Sequence, residues 1–345
     1  MPYQVTIKPS GHQFSVNADE TVLEAALREG FALPYGCRNG ACGACKGTVL
    51  AGTVDHGDYQ ANMLKDEEKA RGRTLFCRAR PMSDLVIEAK EIGASRDIVV
   101  KTLPCRVEQM EKRADDVMIV KIKLPANERL QFLAGQYVDF QLKDGKSRSY
   151  SLANPPHDDA LLELHIRHVP GGLFTEQVFS TLKVRDILRL KGPLGSFFIR
   201  EDSDKPMIFV AGGTGFAPIK GMLEHAFAAH TDRQMVLYWG ARARKDLYMA
   251  ELPQRWAAEH PNFSFVPVLS NPAPEDAWQG RTGHVHAAVL ADFADLASYQ
   301  VYACGAPVMV DSAREAFTTT RSLPEDQFFA DSFVYTADAE PAPAG

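Results

Sequence analysis

"PYGCRNGACGACKGTV", residues 34–49, sets three cysteines within nine positions among glycines and alanines. So light a segment packs no core of its own, and its shape must come from what the thiols hold. The spacing is Cys37-x4-Cys42-x2-Cys45, and a fourth thiol follows at Cys77 in "LFCRARP". This is the plant-type [2Fe–2S] spacing, in which four thiolates converge on two irons. Glycine and alanine are needed wherever a longer side chain would keep backbone N–H groups away from the sulfurs. Four thiolates also suit Zn²⁺, yet structural zinc sites usually bring paired C-x2-C units, and here one pair is preceded by a lone Cys37. The pattern favours the cluster, with Cys37, Cys42, Cys45 and Cys77 as metal ligands. Cys105 and Cys304 lie outside it and read as small buried hydrophobes. Arg38, Lys46, Arg78 and Arg80 flank the ligands. Offsetting the cluster's charge, facing an acidic partner and forming an ordinary solvated surface are all open to them.

Around this loop, residues 3–8 and 13–17 alternate as strands about the turn "PSGH", and "ETVLEAALREG" reads as an amphipathic helix with Val22, Leu23, Ala26 and Leu27 on one face. "KGTVLAGTV" and "DLVIEA" (84–89) read as further strands, giving a small sheet with one helix over it. The pattern resets at a linker near residues 91–99. From 100 to about 200 the chain runs through "CRVEQMEKR", "VMIVKIKL", "QYVDFQL", "SRSYSLA", "LLELHIRHV" and "DILRLKGPLGSF", short alternating strands that suggest an antiparallel barrel. One helix, "GGLFTEQVFSTL", interrupts it. From 205, "PMIFVAGGTGFAPIKGMLEHAFAA", "QMVLYWGAR", "SFVPVLS" and "QVYACGAP" alternate buried strands with helices, the pattern of a parallel α/β sheet covered on both faces. The expected division is 1–92, 99–202 and 203–335, with a frayed tail at 336–345.

A chain of 345 residues with 45% hydrophobic composition is long enough for two or three such domains. Its net charge of −6 speaks against a nucleic-acid binder, which needs a surplus of Lys and Arg for phosphates. The N-terminal residues carry neither a signal nor a transit pattern, and runs such as "MIFVA" (207–211) fall far short of the ~20 residues that span a membrane. The expected location is the cytoplasm, where thiols stay reduced and are free for metal.

Three further stretches carry chemistry. In "RSYSLANPP" (148–156), Arg148 and Tyr150 share one face of a strand and Ser151 takes the other, an arrangement that suits a flat ring tethered by a phosphate. In "VPGGLFTE", Gly171 and Gly172 open the backbone before a helix whose N-terminus offers N–H groups to a pyrophosphate; a plain hairpin or cap is the alternative. "FVAGGTGFAP" (209–218) runs a buried strand into Gly212, Gly213, Thr214 and Gly215 and then a helix, where a dinucleotide's phosphates can approach. It is not a strict G-x-G-x-x-G.

With the cluster motif, "RSYS", "GGLFT", "GGTGFAP" and "YACGAP" in this order, the chain resembles the ferredoxin–NAD(P) reductase superfamily, in the arrangement with a plant-type ferredoxin domain fused ahead of the flavin domain. The likeness spans nearly all of residues 1–335 and implies a multidomain fold: a β-grasp ferredoxin domain, an antiparallel β-barrel for FAD and an α/β parallel-sheet domain for pyridine nucleotide. It implies that Arg148 binds the flavin pyrophosphate, Tyr150 stacks on the isoalloxazine and Ser151 bonds near N5, the last two being the catalytic pair. Thr175 keeps the hydroxyl where the family often has Ser. His165 and Arg167 join the cofactor-binding set. Gly212 to Pro218 cradle the nucleotide, Cys304 and Gly305 lie by the nicotinamide, and "FFADSF" brings Phe333 near the flavin, with Asp331 where Glu is more usual. NADH is the implied donor, while Arg242, Arg244 and Lys245 leave a 2′-phosphate open. The implied acceptor is a partner protein, either a sugar dehydrase or the oxygenase component of a ring dioxygenase or multicomponent monooxygenase. An NAD(P)H:flavin reductase and a non-enzymatic cluster sensor remain as alternatives, and the intact "RSYS" strand speaks against the sensor.

Overall fold

Alternation in "YQVTIK" buries Val5 and Ile7 and leaves the residues between them on the other face. This strand, β1 (Tyr3–Lys8), pairs antiparallel with β2 (Gln13–Val16) and parallel with β7 (Leu85–Glu88). Between them in sequence come α1 (Val22–Arg28), β3 (Lys46–Ala51), β4 (Val54–Asp55), α2 (Asp66–Ala70), β5 (Arg73–Leu75) and β6 (Arg80–Pro81). The sheet order β2-β1-β7-β3-β5, with α1 packed on it through Val22, Leu23 and Ala26, is the β-grasp arrangement. Thr21 starts α1 with a reciprocal cap: Glu24 N–H donates to its hydroxyl at 3.2 Å, and the Glu24 carboxylate accepts its N–H at 2.9 Å. The expectation did not include α2, "DEEKA", which buries no side chain and so leaves no apolar period in the sequence.

In this computed structural model the described residues are 2–92, 98–142 and 144–333, so most of the expected linker and all of the expected tail lie outside them. The chain forms two compact units. One comprises residues 1–98 with two short stretches, 195–197 and 330–334. Within it the Tyr35 N–H donates to the Ser196 hydroxyl at 2.8 Å and the Ser196 N–H to the Tyr35 carbonyl at 3.0 Å. Phe333 falls in this unit too.

The second unit holds both the barrel and the α/β sheet, which the sequence reading had separated at 202–203. Its barrel strands are β8 (Lys101–Ala114), β9 (Val117–Lys123), β10 (Tyr137–Gln141), β11 (Ser147–Ser151), β12 (Leu162–Arg167) and β13 (Ile187–Leu194), with α3 (Leu173–Ser180) before the last. They run β11-β10-β13-β8-β9-β12, every recorded pair antiparallel, and β11 and β12 approach each other to curl the sheet. Val107, Val120, Ile122, Val138, Phe140 and Leu190 fill the interior, and Phe174 and Val178 of α3 pack into it.

The α/β part contains β14 (Met207–Gly212), α4 (Phe216–Ala228), β15 (Met235–Ala241), α5 (Glu251–Glu259), β16 (Phe263–Leu269), β17 (Arg281–Thr282), α6 (Val285–Asp292), β18 (Gln300–Gly305), α7 (Pro307–Thr320) and the start of β19 (Phe328–Ser332), whose residues 330–332 count with the first unit. The sheet order is β17-β16-β15-β14-β18-β19, and β14 to β18 pair in parallel. Helices cover both faces, so "MIFVA" is buried at every position. Barrel and sheet join at Gly221, where a Cβ would lie 3.0 Å from the Asn154 carbonyl oxygen. Contact that close explains why the two parts form one unit. Among the described residues no helix is long and apolar enough to cross a membrane.

Candidate functional site

The thiol loop lies between α1 and β3 and takes left-handed backbone at Arg38, Gly40 and Gly43 (φ 61°, 78° and 69°). At Gly40 a Cβ would stand 2.7 Å from Tyr59 Cβ, so only glycine fits. These turns bring the Cys37 N–H within 3.4 Å of Cys42 Sγ and the Ala41 N–H within 3.4 Å of Cys37 Sγ. Cys77, in the turn after β5, meets Cys45, and Cys37 meets Cys42. Among the described residues no three His, Cys, Asp or Glu side chains gather as a single-ion site. The sulfurs stand as two pairs, the distribution a two-iron centre takes. The hydrogen bond from Cys42, with amides of Asn39, Ala41 and Cys42, brings the Cys37 thiol down to about 6. Cys45 likewise lowers Cys77. Cys42 and Cys45, donors in those pairs and fully buried, are pushed up. The four expected ligands lie as the pairs Cys37–Cys42 and Cys45–Cys77, and soft donors ringed by amides fit a [2Fe–2S] cluster. Of the flanking cations, Lys46 is paired with Glu68 at 2.7 Å, Arg78 donates to the Asp58 carbonyl at 2.7 Å, and Arg80 is exposed.

In the second unit, β11 and β10 place Arg148 opposite Phe140 and Tyr150 opposite Val138. Arg148 and Tyr150 share a face, as the alternation predicts. Tyr150 is tilted against Phe174 of α3, ring centres 5.3 Å apart, and burial pushes its hydroxyl above the ordinary value, so the phenol stays neutral. Ser149 donates to Asp139 at 2.6 Å on the opposite face, and Ser151 is buried at the strand's end. Arg148 reaches back to the Ser147 carbonyl at 2.8 Å.

In the Gly-Gly loop the glycine amides are bonded within the turn. The Gly171 N–H donates to the Glu176 carboxylate at 3.1 Å and the Gly172 N–H to the Val169 carbonyl at 2.9 Å, so both glycine amides serve the loop. The Thr175 hydroxyl accepts from Val169 N–H and lies 3.0 and 3.1 Å from the Val169 and Gly172 carbonyls. It braces the turn. What the loop offers a ligand is the open space over Gly171 (φ 77°), where a Cβ would meet nothing within 4 Å.

His165, expected in the cofactor-binding set, has both ring nitrogens on protein partners. Its ring has no exposed surface. Nε2 donates to the Glu163 carboxylate at 2.9 Å and Nδ1 accepts from the Tyr248 hydroxyl at 2.8 Å. A carboxylate only accepts, which fixes the tautomer, and burial lowers the His165 pKa and keeps the ring neutral. Glu163 in turn meets Lys121 at 3.0 Å and Lys220 at 3.2 Å, and its carboxyl is held well below the ordinary value by His165 and the lysines against the cost of burial.

At the nucleotide turn, Gly212 to Gly215 pack against Cys304 and Gly305: a Cβ on Gly215 would lie 2.0 Å from the Cys304 carbonyl oxygen, and a Cβ on Gly305 would lie 3.1 Å from Gly212 Cα. Trp239 Nε1 donates to the Gly213 carbonyl at 2.9 Å, and the Arg167 guanidinium would stand 2.7 Å from a Cβ at Gly213. Arg167 is thus at the turn, while Pro218 is buried in α4. The glycines are demanded by this close packing, and a glycine turn running from a buried strand into α4 fits the approach of a dinucleotide. Sequence reasoning missed Glu163, Lys220, Trp239 and Tyr248. A lysine inside the apolar run "FAPIKGML" was the one available signal.

Three domain families match the chain: the 2Fe-2S iron-sulfur cluster binding domain over residues 5–82, the oxidoreductase FAD-binding domain over 104–199 and the oxidoreductase NAD-binding domain over 209–315. The CDP-6-deoxy-L-threo-D-glycero-4-hexulose-3-dehydrase reductase of Yersinia pestis is 39% identical over 334 residues, 97% of this chain and 99% of the relative. The phenol 2-monooxygenase reductase component of Pseudomonas sp. (strain CF600) is 38% identical over 344 residues, 98% and 96% of the two chains. Among solved structures, the Amycolatopsis cytochrome P450 reductase GcoB is similar with a TM-score of 0.76 and 36% identity, over 96% of this chain and 98% of its own.

Proposed function

Since the chain belongs to the family of reductases that join a [2Fe–2S] domain to FAD- and NAD-binding domains, we propose that the partner it serves is a sugar dehydrase of the CDP-4-keto-6-deoxyglucose-3-dehydrase kind, as for a CDP-6-deoxy-3,4-glucoseen reductase. The broader activity is that of an iron–sulfur flavoprotein reductase, oxidising pyridine nucleotide and passing electrons to a partner protein. The observation that carries the narrower reading is the 39% identity over 334 residues to a dehydrase reductase. A cytoplasmic setting belongs to the same reading, because the four thiols must stay reduced to take iron.

Bound FAD supplies the step between a two-electron donor and a one-electron carrier. The residues of this chain bind and orient around that step. Arg148 brings the positive charge for a pyrophosphate, and Tyr150, braced by Phe174, offers a neutral ring face for stacking. Ser151 holds a hydroxyl at the end of the same strand. Gly212–Gly215 and Cys304–Gly305, packed against one another, would hold the nicotinamide end of the nucleotide. Cys37, Cys42, Cys45 and Cys77 hold the cluster. The hydride step itself requires no general base.

A second reading, with an oxygenase component as the partner, draws on the 38% identity to the phenol 2-monooxygenase reductase. Purified reductase with NADH is to be mixed anaerobically with the pyridoxamine-charged dehydrase and its CDP-sugar, and aerobically with a phenol hydroxylase oxygenase and phenol. Product formed with the dehydrase alone supports the proposal. Turnover with the oxygenase alone overturns it.

A further inference from the structure

Lys220 is a lysine where a lysine is costly: in α4, one turn beyond the Gly212–Gly215 turn, with 8% of its side chain exposed. Its ammonium meets the Ala153 carbonyl at 3.1 Å, Glu163 at 3.2 Å and Glu224 at 2.9 Å. Ala153 lies two residues beyond Ser151, the end of the flavin strand. Lys220 therefore ties the helix that begins at the nucleotide turn to the chain leaving the flavin strand, and Gly221 lets the two backbones come together there. From Glu163 the contacts continue through His165 Nε2 at 2.9 Å and Nδ1 to the Tyr248 hydroxyl at 2.8 Å. Tyr248 stands edge-on to Trp239, ring centres 5.2 Å apart at 88°, and Trp239 holds the Gly213 carbonyl at 2.9 Å. The line thus leaves the nucleotide turn along α4 and returns to it through Trp239.

We propose that Lys220, Glu163, His165 and Tyr248 are positioning residues for hydride transfer: a buried polar line, shared by barrel and α/β sheet, that sets the nucleotide turn against the flavin strand. The proposal rests on the flavin- and nucleotide-binding reading of this unit. None of the four side chains has to touch a cofactor. Their part is alignment, to which hydride transfer is sensitive because reacting atoms must sit within a few tenths of an ångström of a productive distance. Burying a charged network for stability alone has little to recommend it, since an apolar replacement is often no less stable.

The test compares the parent holoenzyme with Tyr248→Phe, which loses only a hydroxyl, and with Lys220→Met, which keeps the length of the stem. The rate of flavin bleaching by NADH is measured by stopped flow, with 4-deuterated NADH as a second substrate. The expected result is about a tenfold slower bleaching in each variant. The deuterium isotope effect should rise, the FAD content should stay at the parent level, and KM for NADH should shift less than kcat. Bleaching within twofold of the parent in the folded, flavin-loaded Tyr248→Phe protein overturns the proposal, even if Lys220→Met fails to fold. A parent protein that NADH does not bleach at all defeats the functional reading instead, and so the two failures are distinct.

Discussion

Replacing Cys42 by Ser removes one of four sulfur donors while leaving the volume of the side chain nearly unchanged. NADH-dependent ferricyanide reduction should survive largely intact in Cys42→Ser, because it draws on the flavin, whereas cytochrome c reduction should be lost; steady-state assays of both acceptors check it. At Gly40 the constraint is steric as well as conformational, with a Cβ 2.7 Å from Tyr59 Cβ at φ 78°. Gly40→Ala should cost about 1–3 kcal/mol and lower the iron bound per chain, read by colorimetric iron assay and thermal melting. At this scale the four cysteines were legible because their spacing alone encodes the ligand set. His165 was not. Its partner Tyr248 stands 83 positions away, and nothing local tells a buried, carboxylate-held imidazole from one facing a ligand. The Gly-Gly loop was read from its composition, which marks where backbone turns but not which acceptor each amide will find.

The elements themselves were mostly legible. Strands such as β1, β9 and β12 announce themselves by alternation, and β14 by its unbroken apolar run, since burial on one or both faces writes a period into the sequence. The helix α2 is stabilised by its first-turn carboxylates and writes none. For α1 the cap is measurable: Thr21→Ala should destabilise the N-terminal unit by about 1 kcal/mol in urea unfolding. The same helix carries a pH signature. Its Arg28 hydrogen-bonds Glu20 at 2.7 Å and brings that carboxyl from 4.5 to about 2. A folded value below the unfolded one means that the pair stabilises fully above about 4.5 and that this contribution fades as the pH falls towards 2. Both partners are solvated, so screening keeps the effect small. Glu20→Gln should therefore be less stable than the parent at pH 7 and indistinguishable from it near pH 2, by denaturant unfolding at both values.

For the molecule as a whole, the choice of donor follows from how charge is placed beyond β15. Arg244 is tied to Asp276 through its N–H at 3.2 Å and its guanidinium at 3.4 Å, and Lys245 lies 3.4 Å from Asp115. Of the three cations that a 2′-phosphate would recruit, Lys245 already faces a carboxylate and the Arg244 guanidinium is held by the Asp276 backbone carbonyl, so kcat/KM should favour NADH over NADPH by about tenfold or more; a ratio favouring NADPH would reverse the assignment. The order of the three motifs was readable from the chain. The contacts that join barrel and sheet were not, because Gly221 meeting Asn154 and Lys220 finding Glu163 are long-range in sequence. Trp239, stacked on Phe216 with ring centres 4.0 Å apart and hydrogen-bonded to the Gly213 carbonyl, also gives the protein an internal lamp. Its ultraviolet emission reports on the backbone that a dinucleotide would rest against. With Trp256 and Trp278 changed to Phe, ligand arrival becomes visible as a colour and brightness change, without any label attached.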